Sequence, residues 1–351
     1  MRKLAAIECI KSVQPVPNAD ALDVVRVRGW QVVTKRNEFQ VGDLAVYFEI
    51  DSFLPIRPEF EFLRSSSFKR MGEEEGFRLR TVKLRKQISQ GLVLPVSTFS
   101  ELAEQTFSVG DDVTELLGVK KYEPPVPASL SGVVKGPFPS VIPKTDQERI
   151  QNLWESYATT LQDVAFEETV KLDGTSMTVY VRDGEVGVCS RNLDLKCDRE
   201  ATYRLDNRGN VLWRVALKLD LPNLLPQLNR NLAIQGELIG PNIQKNNEKL
   251  TEHTWFVFDV WDIDRQHYFS ASERLSFVRQ LGLKHVPVVS ESIQVFRNFS
   301  SLVELLARAD GPSLTANSKR EGLVYKSVEP VDGEIISFKV ISNRWLLKNE
   351  S

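Results

Sequence analysis

At 351 residues the chain exceeds the size at which one hydrophobic core usually stops growing, so two domains are expected. Hydrophobic residues at 42% and charged residues at 26% are ordinary for a soluble globular protein, and a net charge of −2 excludes a histone-like coat on nucleic acid while leaving room for a local basic groove. Three scattered cysteines (Cys9, Cys189, Cys197) and three scattered histidines (His253, His267, His285) exclude a disulfide framework and a zinc site.

Arg2 and Lys3 are followed by a short apolar stretch that Glu8 interrupts, which is not a secretory signal, and no later run reaches membrane-spanning length. An intracellular, cytoplasmic, reduced protein with no membrane partner is expected. Residues 1–122 read as β-rich, with strands over 4–12, 22–27, 30–34, 44–50, 77–84 and 91–96. Asn18-Ala19-Asp20, Arg28-Gly29 and Val41-Gly42-Asp43 punctuate them. Short strands at this spacing suit a small closed barrel, because closure removes exposed edges. Within the module, Arg78, Arg80, Lys83, Arg85 and Lys86 place five cations in nine residues without an acid, a density suited to phosphate contacts or simply to a solvated strand face. Leu79, Val82 and Leu84 break strict alternation there, which predicts a bulge or bend.

Residues 123–145 form a proline-rich linker containing Pro124, Pro125, Pro127, Pro137, Pro139 and Pro143. Residues 146–161 carry a helix pattern, with Ile150, Leu153, Trp154, Tyr157 and Leu161 on one face and Thr145 or Asp146 as cap. From residue 165 onward strands return: Met177, Val179 and Val181 alternate with polar partners, Asp183-Gly184 supplies a tight turn, and Val186 and Val188 start the return strand. Helices are predicted over 201–219, 272–281 and 302–308. The fold class expected for the chain is α+β, a small N-terminal β-barrel followed by an antiparallel-sheet domain over 146–351.

Lys171 sits just before that hairpin, in Lys171-Leu172-Asp173-Gly174. A lysine amine attacks phosphorus only when deprotonated, and nearby cations with partial burial depress its pKa. Lys326 and Lys339 are candidates for that role, Asp173 and Glu321 for holding hydrated Mg2+ or Mn2+, and Gly174 for a sharp backbone turn beside a nucleotide. Taken alone, Lys-x-Asp-Gly is equally an exposed turn between strands.

The order of later elements adds to this. Lys171-Leu172-Asp173-Gly174, Ser190-Arg191-Asn192, Gln235-Gly236-Glu237-Leu238, Phe256-Val257-Phe258-Asp259, Glu321-Gly322-Leu323-Val324-Tyr325-Lys326 and Ser337-Phe338-Lys339 together resemble the covalent nucleotidyltransferase superfamily of ATP-dependent ligases and capping enzymes, over roughly residues 165–345. The resemblance implies that Lys171 forms lysyl-AMP and Arg191 contacts the 3′-OH end. It further implies that Glu237 holds the ribose, Phe256 stacks on adenine, Glu321 serves the metal, and Lys326 and Lys339 bind the α-phosphate. The last motif is commonly Lys-x-Lys, and Ser337 takes its first position, so Lys339 works with Lys326 or the missing cation comes from elsewhere.

Only twelve residues follow Lys339, which leaves no place for the C-terminal barrel of DNA ligases and capping enzymes. With the barrel-like module at the N-terminus, the chain resembles the RNA ligase family typified by the Deinococcus and Naegleria enzymes, an OB domain followed by an adenylation domain. Trp30-Gln31-Val32-Val33, Phe39-Gln40-Val41-Gly42-Asp43 and Lys86-Gln87-Ile88-Ser89-Gln90-Gly91-Leu92 look like that family's N-terminal module. The resemblance implies a monomer that uses ATP and Mg2+ or Mn2+ to seal 3′-OH and 5′-phosphate ends of nicked or structured RNA, in RNA repair. An ATP-dependent DNA ligase and an inert RNA-binding protein of the same fold are the alternatives.

Overall fold

The computed structural model describes residues 3–17, 19–103, 105–123, 134–197, 210–315 and 317–349. The predicted turn residue Asn18, linker residues Pro124, Pro125 and Pro127, and residues 201–209 of a predicted helix lie outside them. The chain divides into two units, Met1–Val126 with Ile150–Ser156 and Leu346–Ser351, and Pro127–Arg149 with Tyr157–Trp345.

In the first unit, Leu44–Phe48 pairs with Ala5–Cys9 and Leu92–Pro95, while Ser12–Pro15, Leu22–Val27 and Trp30–Lys35 form a meander. Ser52–Pro55, Phe68–Met71, Glu74–Arg78 and Lys120–Lys121 form another sheet, and Thr81–Leu84 with Gln87–Gln90 a hairpin. Among the described residues no sheet closes into the expected barrel. The reason lies in two breaks. The strand predicted over 4–12 stops after Cys9 and resumes at Ser12, and its halves pair in different sheets. The strand predicted over 77–84 breaks at Leu79-Arg80, where the basic run bends, and its halves part likewise. Phe48, Phe60, Phe77 and Phe99 fill one core of this unit, and Trp30, Tyr47 and Ile10 belong to a second.

The helix predicted over 146–161 runs Ile150–Thr160, and neither Thr145 nor Asp146 caps it. Glu148–Arg149 is drawn into parallel pairing with Phe338 and Lys339, so the helix begins only after an extended Arg149. Asp146 instead accepts two bonds from Arg191.

Two sheets build the second unit. In the larger, Thr175–Arg182 lies between Glu185–Cys189 and Leu232–Ile239, which pairs in turn with Thr254–Asp262. Met177, Val179, Ile234, Leu238, Trp255 and Val257 point to one face, where they join Trp213 and Phe277 from the helices Val211–Lys218 and Ala271–Gln280. Asn210 caps the first helix and a Ser270–Glu273 capping box the second. The smaller sheet runs Glu148–Arg149, Ser337–Ile341, Gly322–Ser327, Phe166–Lys171, Val288–Ile293. On one of its faces Phe166 meets Phe338 at 5.4 Å and Tyr325 stacks on Phe338 at 5.1 Å. Burying each such large side chain contributes about 1.5–3 kcal/mol, enough to hold the register against a one-residue slip. By alternation the opposite face carries Glu167, Thr169 and Lys171 together with Val324, Lys326 and Lys339.

Candidate active site

Lys171 is the last residue of its strand and pairs with Gly322. A side chain at Gly322 would lie 2.2 Å from the Val340 carbonyl, so only glycine fits between these strands. The preceding residue, Glu321, thereby reaches Lys171, whose Nζ donates to Glu321 Oε2 at 2.6 Å. Two residues past Lys171 the carboxylate of Asp173 accepts a bond from Asn247 Nδ2 at 2.7 Å. A Cβ on Gly174 would come within 2.3 Å of the Leu238 carbonyl. Its absence lets the Gly174 N–H donate to Glu237 Oε1 at 3.0 Å.

The electrostatics at Lys171 differ from what the sequence predicts. Burial works against its charge, but Glu321, Glu237 and Asp173 outweigh burial and hold the ammonium above its ordinary value. Burial and the Glu321 charge push Asp173 up to about 6, and burial, with Glu321 acting in the same direction, pushes Glu237 up to about 7. Both rises occur despite the attraction of Lys171. A lysine surrounded by carboxylates keeps its proton until something neutralises them.

The other predicted residues are distributed unevenly. Lys326 is almost fully buried and donates to Asp259 Oδ1 at 2.6 Å and to the Phe258 carbonyl at 2.7 Å. It pairs with Glu167 in the strand register, four residues from the Gly322 that pairs with Lys171. Burial and nearby Arg274 lower its pKa against the pull of Asp259. Lys339 lies opposite Val324, on the Lys171 face, and Ser337 lies opposite Lys326. Arg191 is half-exposed and paired with Asp146.

Phe256 is only 8% exposed and packs with Val170, Leu172 and Ile239. Its neighbour Phe258 is the extra residue of a bulge, since Gln235 pairs with Asp259 while Gly236 pairs with Val257. That ring is half-buried, with the Lys326 amine 5.7 Å from its centre. The alternating pattern Phe256-Val257-Phe258 contains no sign of the bulge, so the sequence does not show that Phe258 is the more open of the two rings, and no motif points to the contact between Asn247 and Asp173.

In the first unit Arg78 is committed to the fold, lying 4.6 Å over the Tyr122 ring and 3.4 Å from Asp51. Arg80 donates to the Ser66 carbonyl. Lys83, Arg85 and Lys86 are exposed, with Arg85 and Lys86 forming the hairpin tip at φ 46° and 71°. Among the described residues no three His, Cys, Asp or Glu side chains converge into a direct coordination cage, and no helix is long and apolar enough to cross a membrane.

An OB-fold domain model matches residues 4–96, and the RNA ligase family model matches residues 164–341. The chain is similar to the solved structure of Naegleria gruberi RNA ligase with PPi, at 44% identity over 100% of this chain and 99% of that one, with a TM-score of 0.87. A mutant of that ligase with ATP and Mn is 44% identical, with 100% of both chains covered and a TM-score of 0.87. Another mutant, with AMP and Mn, is 44% identical over 99% of each chain, with a TM-score of 0.88. No curated protein sequence matches.

Proposed function

This chain belongs to the RNA ligase family, and from that premise we propose how its own residues divide the work and which ends it joins. It is an ATP-dependent RNA ligase that converts ATP to AMP and pyrophosphate through an adenylylated intermediate. In our reading the Lys171 amine attacks the α-phosphorus, forming a P–N bond as the bond to pyrophosphate breaks. An RNA 5′-phosphate oxygen then displaces Lys171 from the adenylyl phosphorus. A 3′-OH finally attacks the activated 5′-phosphorus, closing the strand and releasing AMP. Positioning and charge neutralisation carry most of such catalysis.

One observation supports this reading above the rest. Lys171 is an ammonium bound to Glu321 within the field of Glu237 and Asp173, the latter two pushed up to about 7 and about 6. Carboxylates that raise one another's pKa suit a divalent cation, Mg2+ or Mn2+, which Asp173 and Glu321 would hold through water. Held there, such an ion would supply charge to screen the triphosphate and would loosen the carboxylates' hold on the Lys171 proton. Glu237 orients the ribose while tied to Gly174, Lys339 and Lys326 serve the phosphate side, and Arg191 guides the 3′-OH end. We assign adenine stacking to Phe258 in preference to Phe256, whose ring is enclosed. Lys83, Arg85 and Lys86, with Arg80 and Arg78 behind them, track the phosphates of a nicked duplex or structured RNA, and the activity serves RNA repair.

Incubation with α-labelled ATP and Mn2+ or Mg2+ tests the nucleophile. The folded wild type takes up label that Lys171→Ala does not, and an unlabelled wild type refutes the assignment. Sealing of matched nicks ending in a ribose or deoxyribose 3′-OH tests the substrate, with the ribose nick expected to seal faster.

A further inference from the structure

We propose that Asn247 is a positioning residue for adenylylation, whose amide fixes the Asp173 carboxylate in the orientation that serves Lys171 and the metal. The proposal rests on the reading of Asp173 as a metal-side carboxylate. It starts from the backbone that delivers Asn247. Between Gly240 and Lys249, Asn242, Gln244, Asn246 and Lys249 adopt φ of 62°, 46°, 43° and 53°, a left-handed region that side-chain-bearing residues avoid. Four such residues in so short a segment persist only where their surroundings dictate them.

The surroundings do so. Ile243 is buried in the main core of the unit. Backbone bonds run from Ile243 to Gly240, from Asn246 to Ile243 and from Lys249 to Asn246. The Asn246 side chain both accepts from the Leu250 N–H and donates to the Leu250 carbonyl, and His253 Nε2 lies 2.8 Å from the Pro241 carbonyl. The segment is thus held by its own bonds without help from Asn247. Asn247 is spent elsewhere, on a residue 74 positions earlier and two past the nucleophile, through the 2.7 Å bond to Asp173 Oδ2. A carboxylate offers only acceptors, so the amide must turn its NH2 toward it. With one oxygen engaged, the Asp173 rotamer is set, and outer groups that orient a carboxylate in this way commonly govern metal affinity.

Asn247→Ala and Asn247→Asp separate this role from packing. Asn247→Ala is expected to slow single-turnover labelling about 10–100-fold and to weaken Mn2+ binding, read by electron paramagnetic resonance without ATP, by about tenfold at an unchanged melting temperature. Asn247→Asp keeps the shape, loses the donor and sets one carboxylate against another, so it should label more slowly than the alanine variant. Wild-type labelling and Mn2+ affinity in Asn247→Ala would overturn the proposal and leave Lys171 as the nucleophile. So would faster labelling by Asn247→Asp than by Asn247→Ala, which is the order expected if only packing matters. An unlabelled wild type would remove the nucleophile assignment and this proposal with it.

Discussion

Raising the pH should cost the metal-free protein stability that Glu237→Gln restores. Burial, with Glu321 beside it, carries the Glu237 carboxyl from an ordinary 4.5 to about 7. The folded state then binds the proton more tightly than the unfolded state. Stability is therefore highest below about 4.5, falls as pH rises, and has lost the full contribution above about 7. The corresponding free energy is about 3 kcal/mol. Asp173, raised to about 6, acts in the same direction, although both rises share Glu321 as a cause and do not simply add. At about 2–4 °C per kcal/mol, Glu237→Gln should melt about 6–12 °C above wild type at pH 8 without metal, and the gap should shrink by pH 5.5. Glutamine keeps an oxygen for the Gly174 N–H, so the variant isolates the charge. Mn2+ should raise the melting temperature of the wild type more at pH 8 than at pH 5.5, and labelling by the variant should be lost. Scanning calorimetry at both pH values provides the readout. A gap independent of pH, or a variant less stable than wild type at pH 8, refutes the reasoning.

Gly174→Ala forces a Cβ to within 2.3 Å of the Leu238 carbonyl; the resulting shift should cost about 1–3 kcal/mol in melting experiments and slow labelling by breaking the bond to Glu237. Lys326→Met leaves Asp259 buried and unpaired, a loss of about 3–5 kcal/mol in denaturant titration, while Lys326→Met/Asp259→Leu should recover most of it. If that stable double variant labels at the wild-type rate, Lys326 leaves the catalytic assignment. Phe256→Ala should cost about 3–5 kcal/mol of stability, whereas Phe258→Ala should chiefly raise the KM for ATP; the reverse pattern returns the stacking role to Phe256. Replacing Lys83, Arg85 and Lys86 by alanine should leave labelling intact and reduce the salt slope of RNA binding by about 2–3, and an unchanged slope excludes the hairpin from the RNA path.

Much of the site was legible because its chemistry depends on local runs. Lys171 to Gly174, Glu237 and Glu321 each stand in a short motif, and strand alternation around Met177 to Val181 set the faces of the large sheet. The helix predicted over 272–281 runs Ala271–Gln280, where the signals that start it are local. Failures came where distant pairing overrode a local signal. Thr145 and Asp146 look like caps, yet Phe338 and Lys339 claim the residues after them and Arg191 claims Asp146. The expected barrel strands broke at Ile10-Lys11 and Leu79-Arg80 because each half found a separate partner.

By itself the sequence determined which lysine we propose as the nucleophile and which carboxylates stand as candidates beside it, since side-chain chemistry and order along the chain need no fold to be read. The tertiary structure alone decided the charge state of that amine. Fields act through space, and the sheet register brings Glu321 and Glu237 to Lys171 while Asp259 takes up the charge of Lys326. It also decided which aromatic keeps an open ring, through one bulged residue, and which amide turns toward Asp173, through a loop whose backbone angles no sequence pattern announces.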